Sequence, residues 1–132
     1  MELDVVAWVY AAQGRMLTVR SRGRDLLYLP GGKREPGEDD WSALSREVRE
    51  ELAVELAPAT FRRLGVVRAP AHDQPEYEFV RMVCFTADYD GDIVPAGEVD
   101  EFRYVGHEHR DLLAPASQAA LDLAKANGLV HP

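Results

Sequence analysis

Apolar positions along the chain change period several times, and each change marks an element. Leu3 to Ala12 is β-branched and aromatic and predicts a strand. Gln13-Gly14 is a turn signal, and Met16 to Val19 predicts the return strand of a hairpin. Leu26 to Leu29 predicts a short strand stopped by Pro30-Gly31-Gly32. A polar loop follows from Gly31 to Glu38. From Trp41 to about Leu52 the period becomes helical: Trp41, Leu44, Val48 and Leu52 form one apolar stripe, with Asp39 and Asp40 as cap or first-turn residues. Phe61 to Arg68 predicts a strand. Glu76 to Asp88 predicts a long one, apolar on both faces and so central to a sheet. Glu101 to Val105 predicts one more strand, and Ala116 to Ala126, closed by Gly128, a final helix. Strands and helices mix without strict alternation. The expected fold class is therefore α+β, a mixed sheet covered by helices, in one domain spanning 1–132.

Composition adds little until charge is considered. The 132 residues are 46% hydrophobic and 29% charged, an ordinary globular balance. The net charge of −8 argues against a nucleic-acid polymer as partner, because backbone binding needs a basic face. It also conflicts with a small anionic substrate, unless part of the negative charge holds a metal ion that inverts the local field. Cys84 is the single cysteine and lies in an apolar run, so a buried hydrophobe is expected and no internal disulfide forms. With no signal-peptide pattern after Met1 and no long apolar stretch, a cytoplasmic protein without a membrane partner is expected.

The segment from Gly32 to Val54 carries the chemistry. On a helix, Glu47, Glu50 and Glu51 project to one side, flanking the apolar stripe. Three like charges crowded there repel one another, and a hard cation such as Mg²⁺, with Mn²⁺ as a substitute, offsets that repulsion. Arg46 can pair with the same carboxylates, and a freed carbonyl at Gly31 could complete the metal shell. Taken alone, such glutamates more often form a solvated helix face.

The whole string decides between the two. It resembles the signature of the Nudix hydrolases, G-x5-E-x7-R-E-U-x-E-E-x-G-U, with Gly32, Glu38, Arg46, Glu47, Val48, Glu50, Glu51 and Val54 in place. One position departs: Ala53 stands where the family has Gly. If that position needs a positive φ, alanine costs roughly 1 kcal/mol there. The resemblance implies an α/β/α sandwich and Mg²⁺-dependent hydrolysis of a diphosphate bond in a nucleoside diphosphate linked to another group, or in a nucleoside triphosphate. It implies Glu47, Glu50 and Glu51 as metal ligands, Arg46 and Glu38 as their orienting partners, and Glu50 or Glu47 as the base for the attacking water. Homodimers are frequent among such proteins. The alternative within the family is a nucleotide sensor that binds without cleaving; such modules usually lose box carboxylates, and here all are present.

Outside the box the resemblance thins. Some MutT-like enzymes place a further carboxylate before a late strand. Glu101 is the better match and Glu98 the second, against the reading of an acidic loop. Ala114-Pro115-Ala116-Ser117 resembles the Pro-Pro-Ala-Asn of MutT-like enzymes, whose Asn contacts an oxidised guanine. Ser117 lacks the amide's paired donor and acceptor, which weakens that substrate and leaves a helix cap as the simpler role. Among the basic residues before and within the box, Arg20 and Lys33, with the Gly32 backbone, are the expected substrate contacts; solvated loop charges are the commoner reading for the others. His72, His107 and His109 are expected at the surface, and Tyr77, Phe79 and Phe85 in the core.

Overall fold

The computed structural model describes residues 1–132. The chain opens with β1 (Glu2–Trp8), then β2 (Ala11–Ala12) and β3 (Arg15–Ser21). Between β2 and β3, Gln13 and Gly14 have φ of 54° and 75°, the paired positive values that a tight hairpin turn requires. Next come β4 (Gly31–Gly32), α1 (Asp40–Leu52), β5 (Glu55–Leu56), β6 (Arg62–Pro70), β7 (Phe79–Thr86), β8 (Tyr89–Asp90), β9 (Val99–Val105) and α2 (Pro115–Ala126).

A four-stranded mixed sheet runs β4-β1-β7-β6, with β1 parallel to β7 and the other pairs antiparallel. A three-stranded antiparallel sheet, β2-β3-β9, adjoins it, and β5 pairs with β8. The alternation of β7 sorts its side chains to opposite faces. Val80, Met82 and Cys84 join a cluster with Ala120, Leu121 and Ala124 of α2. Val83 and Phe85 join Leu44, Val48 and Leu52 of α1. One helix thus covers each face of the main sheet, which is the α/β/α sandwich expected. β7 lies centrally, as its two apolar faces predict.

Two expectations needed correction. Leu26 to Leu29 is not a ladder strand: it makes only isolated bridges, Val19 to Tyr28 and Leu27 to Leu113, while Leu27 and Leu29 are buried. The first strand ends at Trp8, and Ala11–Ala12 pairs separately. No helix is long and apolar enough to cross a membrane.

Candidate active site

The carboxylates are placed by the seating of α1. The Asp39 side chain accepts the Ser42 N–H at 2.8 Å and starts the helix. Ala43, Leu44, Val48 and Leu52 are fully buried against the sheet. With that stripe inward, Glu47 and Glu51 fall on the flank facing β4. Glu50 stands further out, its side chain 53% exposed against 19% for Glu47. Two glycines let β4 fit between β1 and these side chains. Gly31 has a φ of 147°, and a Cβ there would lie 2.1 Å from the Val6 carbonyl oxygen. At Gly32 a Cβ would lie 2.7 Å from the Glu47 carboxylate. The Gly31 N–H donates to Glu51 Oε1 at 3.2 Å.

Arg46 ties the box together. Its Nε and Nη2 donate to both oxygens of Glu38 at 2.7 and 2.9 Å, a bidentate pair. Its Nη1 donates to Glu47 Oε1 at 2.8 Å and Glu50 Oε1 at 2.9 Å, and Nη2 reaches the Lys33 carbonyl at 3.1 Å. The guanidinium, helped by the Glu35 N–H, holds the Glu38 carboxyl down at about 2. Arg46 itself is held more firmly protonated, chiefly by Glu38. One cation thereby fixes three carboxylates.

Glu51 has no such partner. Desolvation pushes its carboxyl well above the ordinary carboxylate range, a hydrogen bond and charge repulsion from Glu47 push it further, and only the Gly31 N–H opposes them. Two carboxyl groups in contact, one of them largely buried, call for a shared proton or a cation.

The C-terminal end of α1 is closed by an approaching loop. Ala53 has a φ of 61° and a ψ of 28°, left-handed, and its N–H reaches the Arg49 carbonyl. The Val94 N–H donates to the Leu52 carbonyl at 3.0 Å, and the Ala96 N–H to the Glu51 carbonyl at 2.9 Å. These bonds satisfy carbonyls that a helix end leaves free. They also bring Gly97 against the backbone of Glu50.

Next to the box lies a cavity of about 290 Å³. Gly31, Gly32, Lys33 and Glu51 line it, together with apolar side chains of β1 and β7 and the polar groups of Arg24, Tyr28, His72 and Gln74. The arrangement sets an acidic, glycine-walled site against a largely apolar pocket, the combination that a phosphate-bearing organic ligand fits.

The NUDIX domain family matches residues 2–125. The chain belongs to the Nudix family. Among solved structures, the E. coli ORF135 protein is 25% identical with a TM-score of 0.77, the match covering 99% of this chain and 94% of that one. A MutT NUDIX hydrolase from Burkholderia pseudomallei is 21% identical over 93% and 98% of the two chains, with a TM-score of 0.74. The NUDIX domain of Shewanella oneidensis NrtR, solved with ADP ribose, is 21% identical over 96% and 88%, with a TM-score of 0.70. No curated protein matches the chain. This Nudix protein shares its fold with solved Nudix hydrolases, among them the MutT protein from Methanosarcina mazei, 20% identical with a TM-score of 0.73 over 96% and 95% of the two chains.

Other residues singled out in the sequence take varied positions around this Nudix site. Arg20 and Glu101 are cross-strand partners on β3 and β9, paired at 2.7 Å. They line a smaller cavity of about 200 Å³ that shares no residue with the first. Each partly neutralises the other's charge, with both side chains still partly exposed to solvent. Glu98 is exposed, and its carbonyl accepts the Arg22 N–H at 2.8 Å. Gly97 before it has a φ of 58°, which permits the close approach to the Glu50 backbone. Ser117 is fully buried, and its hydroxyl accepts the Leu29 N–H at 3.1 Å. It neither caps α2 nor lines the main cavity; it anchors the segment before Gly31. His72 borders the cavity instead of lying in an exposed loop, whereas His107 and His109 are exposed on a short 3₁₀ turn. Phe79 is 44% exposed at the start of β7, contrary to a core position, while Phe85 is buried. Asp25, His72 and Asp73 form a second group whose oxygens and ring nitrogen lie within 4.8 Å of one another. Arg24 lies 3.5 Å from Asp73 and supplies charge compensation there.

Proposed function

We propose that this Nudix enzyme hydrolyses a diphosphate bond in a nucleotide-like substrate, with Mg²⁺ or Mn²⁺ held by Glu47, Glu50 and Glu51 and a carbonyl of the Gly31 segment. The observation that carries the reading is the contact between Glu51 and Glu47 beside the Gly31–Gly32 backbone. A desolvated carboxyl pressed against a second carboxylate is costly unless a cation replaces the shared proton, and the donors are all hard oxygens, which suits these ions. When bound, the ion would polarise the phosphoryl oxygens and make an attacking water more acidic.

The chain's own residues do the rest. Arg46 holds Glu47 and Glu50 in fixed orientation through one guanidinium. Glu50 or Glu47 accepts the proton of the attacking water; Glu50 is the more accessible to solvent. Lys33 and the Gly32 backbone, at the edge of the cavity, take the phosphates, and the nucleoside end enters the cavity. The charge of Lys33 and the unobstructed backbone favour an anion close to an otherwise acidic wall. The enzyme works as one unit over residues 1–132 in the cytoplasm, and association into a homodimer remains compatible with it.

The test is product release with a panel of nucleoside triphosphates, nucleotide sugars and ADP-ribose under Mg²⁺ or Mn²⁺. Glu50→Gln and Glu51→Gln should each lower turnover by about 10²-fold or more, with melting temperatures close to the parent. Parent-like rates in both variants would sink the assignment.

A further inference from the structure

The cavity's polar groups suggest how one nucleotide is told from another, an inference that rests on the function just proposed. At about 290 Å³ the cavity sits at the small end of ligand pockets, roughly 300–1,000 Å³. It suits a single nucleoside. Its walls are mostly apolar, so few groups remain to read a base edge. His72 is one of them. Its Nδ1 lies 2.5 Å from the Tyr28 hydroxyl, and its Nε2 has no partner in the protein. The Arg24 guanidinium lies 5.8 Å from the centre of the Tyr28 ring, and Asp73 Oδ2 lies 3.6 Å from His72 Nδ1. With Nδ1 accepting, the neutral ring carries its hydrogen on Nε2. The imidazolium would carry one there as well. With the Tyr28 hydroxyl donating to Nδ1, Nε2 is thus a donor in either state.

We propose that His72 is a specificity-determining residue, its Nε2–H donating to a carbonyl or ring-nitrogen acceptor of the base held in this cavity, with Tyr28 positioning the ring. The Tyr28–His72 hydrogen bond holds the ring before the substrate arrives, so the donor is aimed with little ordering cost at binding. Tyr28 is half-buried and desolvation keeps its hydroxyl protonated, as this role requires. A base presenting a donor at that edge would meet donor against donor and be rejected.

The test is calorimetric titration of the full chain with ATP, GTP, CTP and UTP in Ca²⁺, alongside phosphate and pyrophosphate release in Mg²⁺. The four affinities should spread by about tenfold or more, the factor expected of one net hydrogen bond. His72→Phe should compress the spread to about threefold or less, whereas His72→Gln, whose amide nitrogen overlays Nε2, should retain most of it. Tyr28→Phe should lose part of it. Melting curves of each variant guard against misfolding. An unchanged spread in His72→Phe, no spread in the parent, no binding at all, or equal loss in His72→Gln and His72→Phe overturns the proposal. If the spread and its loss are found but no nucleotide is hydrolysed, the proposed function falls and the recognition role stands. Turnover with a spread indifferent to His72 has the reverse meaning.

Discussion

Replacing Ala53 with glycine should stabilise the protein. Ala53 ends α1 in a left-handed conformation, φ 61° and ψ 28°, where the family signature has glycine. An L-residue pays roughly 1–2 kcal/mol there, because its Cβ crowds the following carbonyl. Glycine removes that strain but gives the unfolded chain more freedom, which takes back about 0.4–1 kcal/mol. Ala53 is exposed, so little burial is lost with its methyl group. The balance is a gain of about 0.5–1 kcal/mol, or a melting temperature higher by about 2–5 °C for a chain of this size. Urea unfolding should show a higher midpoint with an unchanged m-value. Ala53→Val should move the other way and by more, since a β-branched residue tolerates positive φ least. Turnover should stay within about twofold in the glycine variant, since the backbone is already in the glycine-like conformation that seats Glu50 and Glu51. A lower midpoint in Ala53→Gly, or no difference between Gly and Val, would refute the reasoning from backbone strain.

Three further substitutions or probes separate site from scaffold. Gly32→Ala should lower turnover by about 10²-fold while shifting melting by only a few degrees, because the new Cβ, 2.7 Å from the Glu47 carboxylate, displaces a reacting group; kinetics and calorimetry together decide it. Ser117→Ala leaves the buried Leu29 N–H without its acceptor and should cost about 1–3 kcal/mol in urea unfolding, with the ranking of nucleotide substrates unchanged. Burial pushes the Cys84 thiol up to about 12, so an aromatic disulfide reagent should leave the native protein unlabelled at pH 8 and react fully in denaturant.

What could be read beforehand followed from repetition and spacing. The period of α1 and the two-faced apolar run of β7 located the sandwich, because burial imposes those periods directly. The string from Gly32 to Val54 located the site, since Gly32 and Arg46 are explained only by what stands beside them. The errors came where neighbours distant in sequence decide. Leu26 to Leu29 has a strand's composition but finds no ladder, whereas Gly31–Gly32, with no strand propensity, pairs with β1 because nothing larger fits under Val6 and Glu47. The pairing of Glu101 with Arg20 likewise follows from the register of β3 on β9, which no local pattern announces. The Ser117 hydroxyl accepts the N–H of Leu29, a partner 88 positions away that the sequence around it does not point to.

The acidic charge of the chain finds its place in the same geometry. A net charge of −8 is unfavourable for an anionic substrate if it is spread around the binding site. In the box, however, Glu38, Glu47 and Glu50 all share the Arg46 guanidinium, and Glu38 is ionised far below neutral pH through that contact. The cavity lining adds Arg24 and Lys33 against a single acid, Glu51, whose charge is suppressed by burial. The negative potential that a phosphate chain meets there is thus much smaller than the count of acids implies. It is concentrated at the Glu47–Glu51 contact, the position where a divalent cation gains most by binding.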